Sequence, residues 1–232
     1  MRKVVPYDTL AALAPYAVWM ALMFALPATA GAYAVRVALA ALALAILLPR
    51  GRGAAKPWSI GGGAGSVAWG LLAGAVVTVL WIAPEGIAAY RDFSLMGALG
   101  LGASEPATDA AGPSPYDPAV CGWTLTLVKL LGSAFVIAPV EELFFRSFLY
   151  RWLQKGDWRS VDLGRFDLSA FLWMVALFAS EHHTRLAAGA MAGAIYGVVA
   201  IRRGVGSAIL AHATTNFALG VWVVVRGEWL FW

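Results

Sequence analysis

Apolar residues fall in continuous blocks near 20 residues long, separated by short stretches where Arg, Lys, Asp, Gly and Pro collect. A helix needs about 20 such residues to cross about 30 Å of hydrocarbon. Seven blocks follow this pattern, at 10–28, 33–48, 66–84, 123–150, 168–182, 186–201 and 205–225. Their continuity is the wrong pattern for a transmembrane β-barrel, whose strands alternate apolar and polar positions. The expected fold is an all-α polytopic transmembrane helix bundle forming one membrane domain over 1–232. The N-terminal spans occupy 1–84, an acidic Pro/Gly-rich loop 85–121, and the core spans 122–225. Within the loop, 86–101 has the length for an interfacial helix or for an eighth span.

Three blocks carry further detail. The first follows Arg2 and Lys3 but exceeds the apolar region of a signal peptide, so an uncleaved helix is expected. The fourth would measure about 42 Å as a straight helix, long enough to tilt or to emerge from the bilayer. Pro139 lies inside it and should kink it. The sixth is rich in Gly and Ala, which lets helix backbones pack closely.

Composition agrees with the pattern. Hydrophobic residues make up 61% of the chain and charged residues 13%, against about a quarter charged in soluble domains. The net charge of +4 sits mainly in interhelical loops, with no basic patch interleaved with aromatics, so no nucleic-acid partner is expected. Membrane lipid is the expected surrounding. With the N-terminus in the cytoplasm, Arg50, Arg52, Lys56, Arg151, Lys155, Arg159, Arg165, Arg202 and Arg203 share its side, as the positive-inside rule requires. The acidic residues Glu85, Asp92, Glu105, Asp109 and Asp117 then lie outside. A single Cys121 excludes an intrachain disulfide and a cysteine-based zinc site.

An ionisable group at the centre of a membrane helix costs about 2.5–3.5 kcal/mol, so each one there needs a partner or a role. The candidates are Arg36, Lys129, Glu141, Glu142, Arg146, Glu181, His182, His183 and His212, with Asn216 as an uncharged companion. Glu142 and Arg146 are four apart and pair on one helical face. Glu141 is rotated about 100° from Glu142 and can project toward another helix. His212 and Asn216 share a face of the seventh block. Counted from the loop charges, Glu141 lies about 15 Å deep, His182 about 22 Å, His212 about 14 Å and Asn216 about 20 Å. All four fall in one mid-membrane band, where three helices can present them to a common cavity.

Glu-Glu-x-x-x-Arg (Glu141, Glu142, Arg146), Phe-x-x-x-His (Phe178, His182) and His-x-x-x-Asn (His212, Asn216) occur in this order, each on an apolar block. Over about 123–220 this resembles the CPBP family, which comprises CAAX prenyl proteases and bacteriocin-processing or immunity proteins, also called Abi. The text around Glu141 and the stretch Ala-His-Ala-Thr-Thr-Asn look like the bacterial branch that accompanies exosortase sorting systems. The resemblance implies an intramembrane glutamic endopeptidase that needs neither cofactor nor metal. It implies Glu141 as the general base for water, and His182 as the group that orients the water or binds the substrate carbonyl. His212 and Asn216 would stabilise the oxyanion, and Glu142 and Arg146 would support the site. The spacing from Phe178 selects His182 rather than His183. The implied substrate is a peptide or protein tail, and the implied location is a bacterial inner membrane.

The chemistry is sufficient on its own terms. Hydrolysis without a covalent intermediate needs a base for water and donors for the oxyanion. Burial makes a carboxylate a stronger base, and a nearby cation opposes this. Competing readings are a zinc-dependent membrane peptidase, a serine protease using Ser180 or Ser133, a non-catalytic binding or immunity protein, and a proton-relay transporter. No His-Glu-x-x-His pattern occurs in the chain.

Overall fold

The computed structural model describes residues 7–47, 63–87, 90, 113–182 and 185–232. Among these the chain is helical, without a β-strand. Seven helices follow in order: α1 (Tyr7–Ala25), α2 (Ala30–Leu47), α3 (Ala64–Ile82), α4 (Pro118–Gln154), α5 (Leu168–Glu181), α6 (Leu186–Arg203) and α7 (Val205–Arg226). Six are long and apolar enough to cross a membrane, and α5 is apolar but shorter. The protein is an integral membrane helix bundle. Large apolar side chains cover its outside, among them Phe24, Trp69, Phe135, Trp173 and Val225, as lipid contact favours. The basic loop residues Arg50, Arg52 and Lys56, most of the segment 86–101, the remaining acidic loop to 112, and His183 lie outside the described residues.

α6 and α7 are the inner helices, each 44% buried over its apolar window against 22–28% for α1 to α4. Gly204 alone joins them, with φ 92° and ψ 160°, a conformation that side chains bearing Cβ avoid. Gly189, Gly193 and Gly197 form a stripe along α6 that lies directly against His182, Phe178, and the Phe171–Met174 pair of α5. Added Cβ atoms there would come within 2.8 to 3.0 Å of those side chains, so the stripe sets how closely α5 approaches. α3 rests on α7, where Gly74 faces Ala211 and Thr214.

α5 begins where the Asp167 carboxylate accepts from the Ala170 N–H at 2.9 Å. Its 14 residues rise about 21 Å, short of the bilayer core. The helix therefore stops at depth, and His182 stands at its end. Arg36, a buried cation on α2, has a structural partner: its guanidinium donates to the carbonyls of Leu22 (3.1 Å), Leu26 (2.6 Å) and Pro27 (2.7 Å). These carbonyls lie in the last turn of α1 and just beyond it, where acceptors outnumber helical N–H donors, although Leu22 also accepts from the Leu26 N–H at 3.1 Å.

α4 is not the simply kinked helix that Pro139 suggests. Its register widens into π-helical turns at Ser133–Ile137 and Leu143–Leu149, on either side of the short α-helical piece Ala138–Glu142. Pro139 has no N–H to donate, and the N–H of Ala138 just before it bonds back to the Ser133 carbonyl. Wide turns of this kind are frequent at functional sites.

Candidate active site

The piece Ala138–Glu142 is buried throughout, so both glutamates of α4 are held inside the bundle. Glu142 is fully enclosed and Arg146 nearly so. Arg146 Nη1 approaches Glu142 Oε1 at 2.9 Å as an ion pair that is not aligned as a hydrogen bond. Arg146 Nη2 donates to the Gly193 carbonyl of α6 at 3.2 Å, and the guanidinium lies 4.2 Å over the Phe178 ring. The pairing expected from the four-residue spacing is present, and it also ties α4 to α5 and α6.

Glu142 does more than neutralise Arg146. His212 Nδ1 donates to the same Oε1 at 2.9 Å, because a carboxylate oxygen can only accept. That bond fixes the imidazole so that its other nitrogen, Nε2, faces Glu141 Oε2 at 3.9 Å. The Tyr196 ring stacks on His212 from α6, with centroids 4.8 Å apart and planes 20° apart. Tyr196 Oη donates to Thr215 Oγ1 at 2.7 Å, and Thr215 Oγ1 donates onward toward the carbonyl of Gly74 at 3.0 Å or Ala211 at 3.1 Å. Residues from α3, α4, α6 and α7 thus hold one imidazole ring.

Glu141 Oε2 is buried and has no hydrogen-bond partner among the described residues. It borders a cavity of about 220 Å³ that His182, His212 and Asn216 also line. The four residues expected to share a cavity therefore line the same one. The two imidazoles flank one aromatic ring, Phe178, with centroids at 4.9 Å (His182) and 5.8 Å (His212). Their separation is at most those two legs placed end to end. His182 Nδ1 lies 3.1 Å from the Phe178 carbonyl, to which it donates, and that bond orients the ring. Asn216 Nδ2 donates to the Ser133 carbonyl at 3.0 Å, in the first π-helical turn of α4. An amide carries two N–H donors, and this bond occupies one.

Residues 123–218 match the family model of type II CAAX prenyl endopeptidases, Rce1-like. Over these residues, less than half of the chain, it is similar to Rce1-like endopeptidases. No curated protein and no solved structure gives a significant match. The Rce1-like segment begins within α4, ends within α7, and includes Glu141, Glu142, Arg146, His182, His212 and Asn216. It supports a membrane protease acting on a peptide in a lipid environment. The far wall of the cavity is built from outside the segment, by Trp19, Tyr33, Trp81, Phe231 and Trp232.

Two features of the site had weak signals in the sequence. Tyr196 sits between Gly193 and Gly197 in a helix of small residues, where a large polar-tipped ring stands out. Phe178 counts as the first residue of a histidine motif, yet its buried ring touches Arg146, His182 and His212 together. For a metal, no group of three or more His, Cys, Asp or Glu side chains converges in a ligating arrangement among the described residues.

Proposed function

We propose that this protein is an intramembrane endopeptidase in which Glu141, without a metal, activates the water that cleaves the peptide bond. The observation that carries this reading is Glu141 Oε2, a buried carboxylate oxygen without a hydrogen-bond partner among the described residues. It faces a cavity across 3.9 Å from an imidazole nitrogen whose orientation Glu142 fixes. A water seated on Oε2 gives up a proton to it as the water oxygen bonds to the carbonyl carbon. The carbonyl oxygen becomes an oxyanion, for which Asn216 offers its second N–H and a proton on His212 Nε2 would be the second donor. The C–N bond then breaks, and the Glu141 carboxyl returns its proton to the leaving amine.

His182, its ring oriented by the Nδ1 contact with the Phe178 carbonyl, lines the cavity with Glu141 and orients the water or binds the substrate carbonyl. Glu142 and Arg146 act through His212 as positioning residues. Loop charge orients the chain with its N-terminus in the cytoplasm, as in a bacterial inner membrane, and puts Arg151, Arg159, Arg165, Arg202 and Arg203 on that side.

The test is mass spectrometry of membrane-derived peptides from cells carrying the active protein and from cells lacking it. The expected result is a set of cleaved peptides that appears only with the active protein. Identical peptide sets from both would remove the proteolytic reading.

A further inference from the structure

α5 ends at Glu181, and His182 has already left the helical conformation, with φ −102° and ψ 45°. The helical ladder therefore no longer fixes where this side chain points, and its neighbours must. Its own segment supplies the Nδ1 bond to the Phe178 carbonyl. α6 backs it with Gly189, where an added Cβ would come within 2.9 Å of His182 Cβ. The end of α3 closes the remaining side.

Trp81, in the last turn of α3, meets the His182 ring edge to face, with centroids 5.3 Å apart. Four residues on, Glu85 lies in the 3₁₀ turn Ala83–Gly86 that extends α3, and it forms an ion pair with Arg185. The Arg185 N–H donates to the His182 carbonyl at 2.7 Å, so these two residues move together. The ring contact and the ion pair are three to four residues apart on both segments. While both are made, neither segment can slide or rotate against the other. The side chains of Arg185 and Glu85 are only 8% and 22% exposed, so water screens their attraction little. The Arg185 guanidinium also lies 4.2 Å over Phe231, which lines the cavity with Trp81 and His182. Trp81 and Glu85 both fall outside residues 123–218.

We propose that Glu85, through its ion pair with Arg185, is a positioning residue for His182, clamping the end of α5 to the end of α3 beside Trp81. The assignment rests on the proteolytic reading above and adds a residue that acts on the reaction only through the placement of His182. Neither Glu85 nor Arg185 lines the cavity. A group misplaced by about 1 Å can cost about 100-fold in rate, so the ion pair governs kcat without meeting the peptide.

The experiment uses the purified full chain in detergent, with ¹⁵N in its histidine rings. The chain has three histidines, so the ring signals are assigned with His182→Gln, His183→Gln and His212→Gln. Cleavage is measured on one peptide that the wild type cuts, selected from a library of random apolar dodecapeptides. Glu85→Gln is expected to shift or broaden the His182 signals and leave those of His212 in place. It should lower kcat about 10- to 100-fold with KM nearly unchanged. Arg185→Met should do the same, whereas Arg185→Lys, which keeps the charge, should retain the His182 signals and most of kcat. Trp81→Leu removes the ring contact without touching a charge and should also displace the His182 signals.

His182 signals that stay in place in Glu85→Gln, or that move only together with those of His212, would overturn the clamp. So would a displaced His182 with unchanged kcat, or an Arg185→Lys variant no better than Arg185→Met. Should Glu85→Gln fail to fold, the same outcomes in Trp81→Leu and the two Arg185 variants decide. A wild type that cuts no peptide would overturn the proteolytic reading and the effect on kcat, while the ring signals still decide whether Glu85 places His182.

Discussion

Glu141→Gln is expected to lose peptide cleavage by between about 100-fold and 10,000-fold, the range typical for removing a general base. The substitution keeps the size and the polar tip of the side chain and removes only its ability to take a proton. The site geometry makes this a clean change. Among the described residues Oε2 of Glu141 has no hydrogen-bond partner to lose, and His212 Nε2 stands 3.9 Å from it. Expression and thermal stability in detergent should therefore stay close to wild type. His182→Ala and His212→Ala should also abolish cleavage, but His212→Ala leaves Glu142 without its 2.9 Å partner and should lower stability too.

The second large effect concerns folding. Arg146→Met should destabilise the bundle by about 3–5 kcal/mol, the cost of stranding one member of a buried ion pair. The estimate applies because neither partner reaches solvent, with Arg146 1% and Glu142 0% exposed. Arg146→Met also removes the bond to the Gly193 carbonyl and the cation from the Phe178 face, both of which dock α4 on its neighbours. The double variant Glu142→Gln/Arg146→Met should recover most of the stability. It leaves no unpaired charge, and the glutamine oxygen still accepts from His212 Nδ1. Thermal midpoints in detergent read both results. Equal midpoints for Arg146→Met and wild type would mean that the pair does not hold the helices together. If the double variant is stable yet cleaves poorly, Glu142 is doing its work on the His212 ring.

The helices were legible in the sequence because lipid imposes one rule, continuous apolar length, on every span. The expected limits of α2, α3, α6 and α7 differ from the observed ones by only a few residues. The pairing of Glu142 with Arg146 was legible too, since four-residue spacing is a property of one helix.

What the sequence concealed lies between helices. Glu142 Oε1 receives His212 from 70 positions away, and no periodicity within α4 encodes which neighbour it meets. The π-helical turns were hidden for a related reason. A proline announces a break in the hydrogen-bond ladder, but the surrounding packing decides whether the chain bends or widens. Lys129 stood out as a membrane cation, yet the rings of Tyr33, Tyr116 and Trp232 around its ammonium come from α2, the segment before α4 and the residues after α7. Only folding brings those rings together.

The central claim is that a carboxylate, with no metal ion, activates the attacking water. It is tested most directly by cleavage rates of wild-type protein before and after exhaustive chelation, set beside Glu141→Gln from the same preparation. The account expects chelated wild type to retain its full rate and Glu141→Gln to stay inactive with or without added zinc. Loss of activity on chelation that zinc restores, or undiminished turnover by Glu141→Gln, would contradict it.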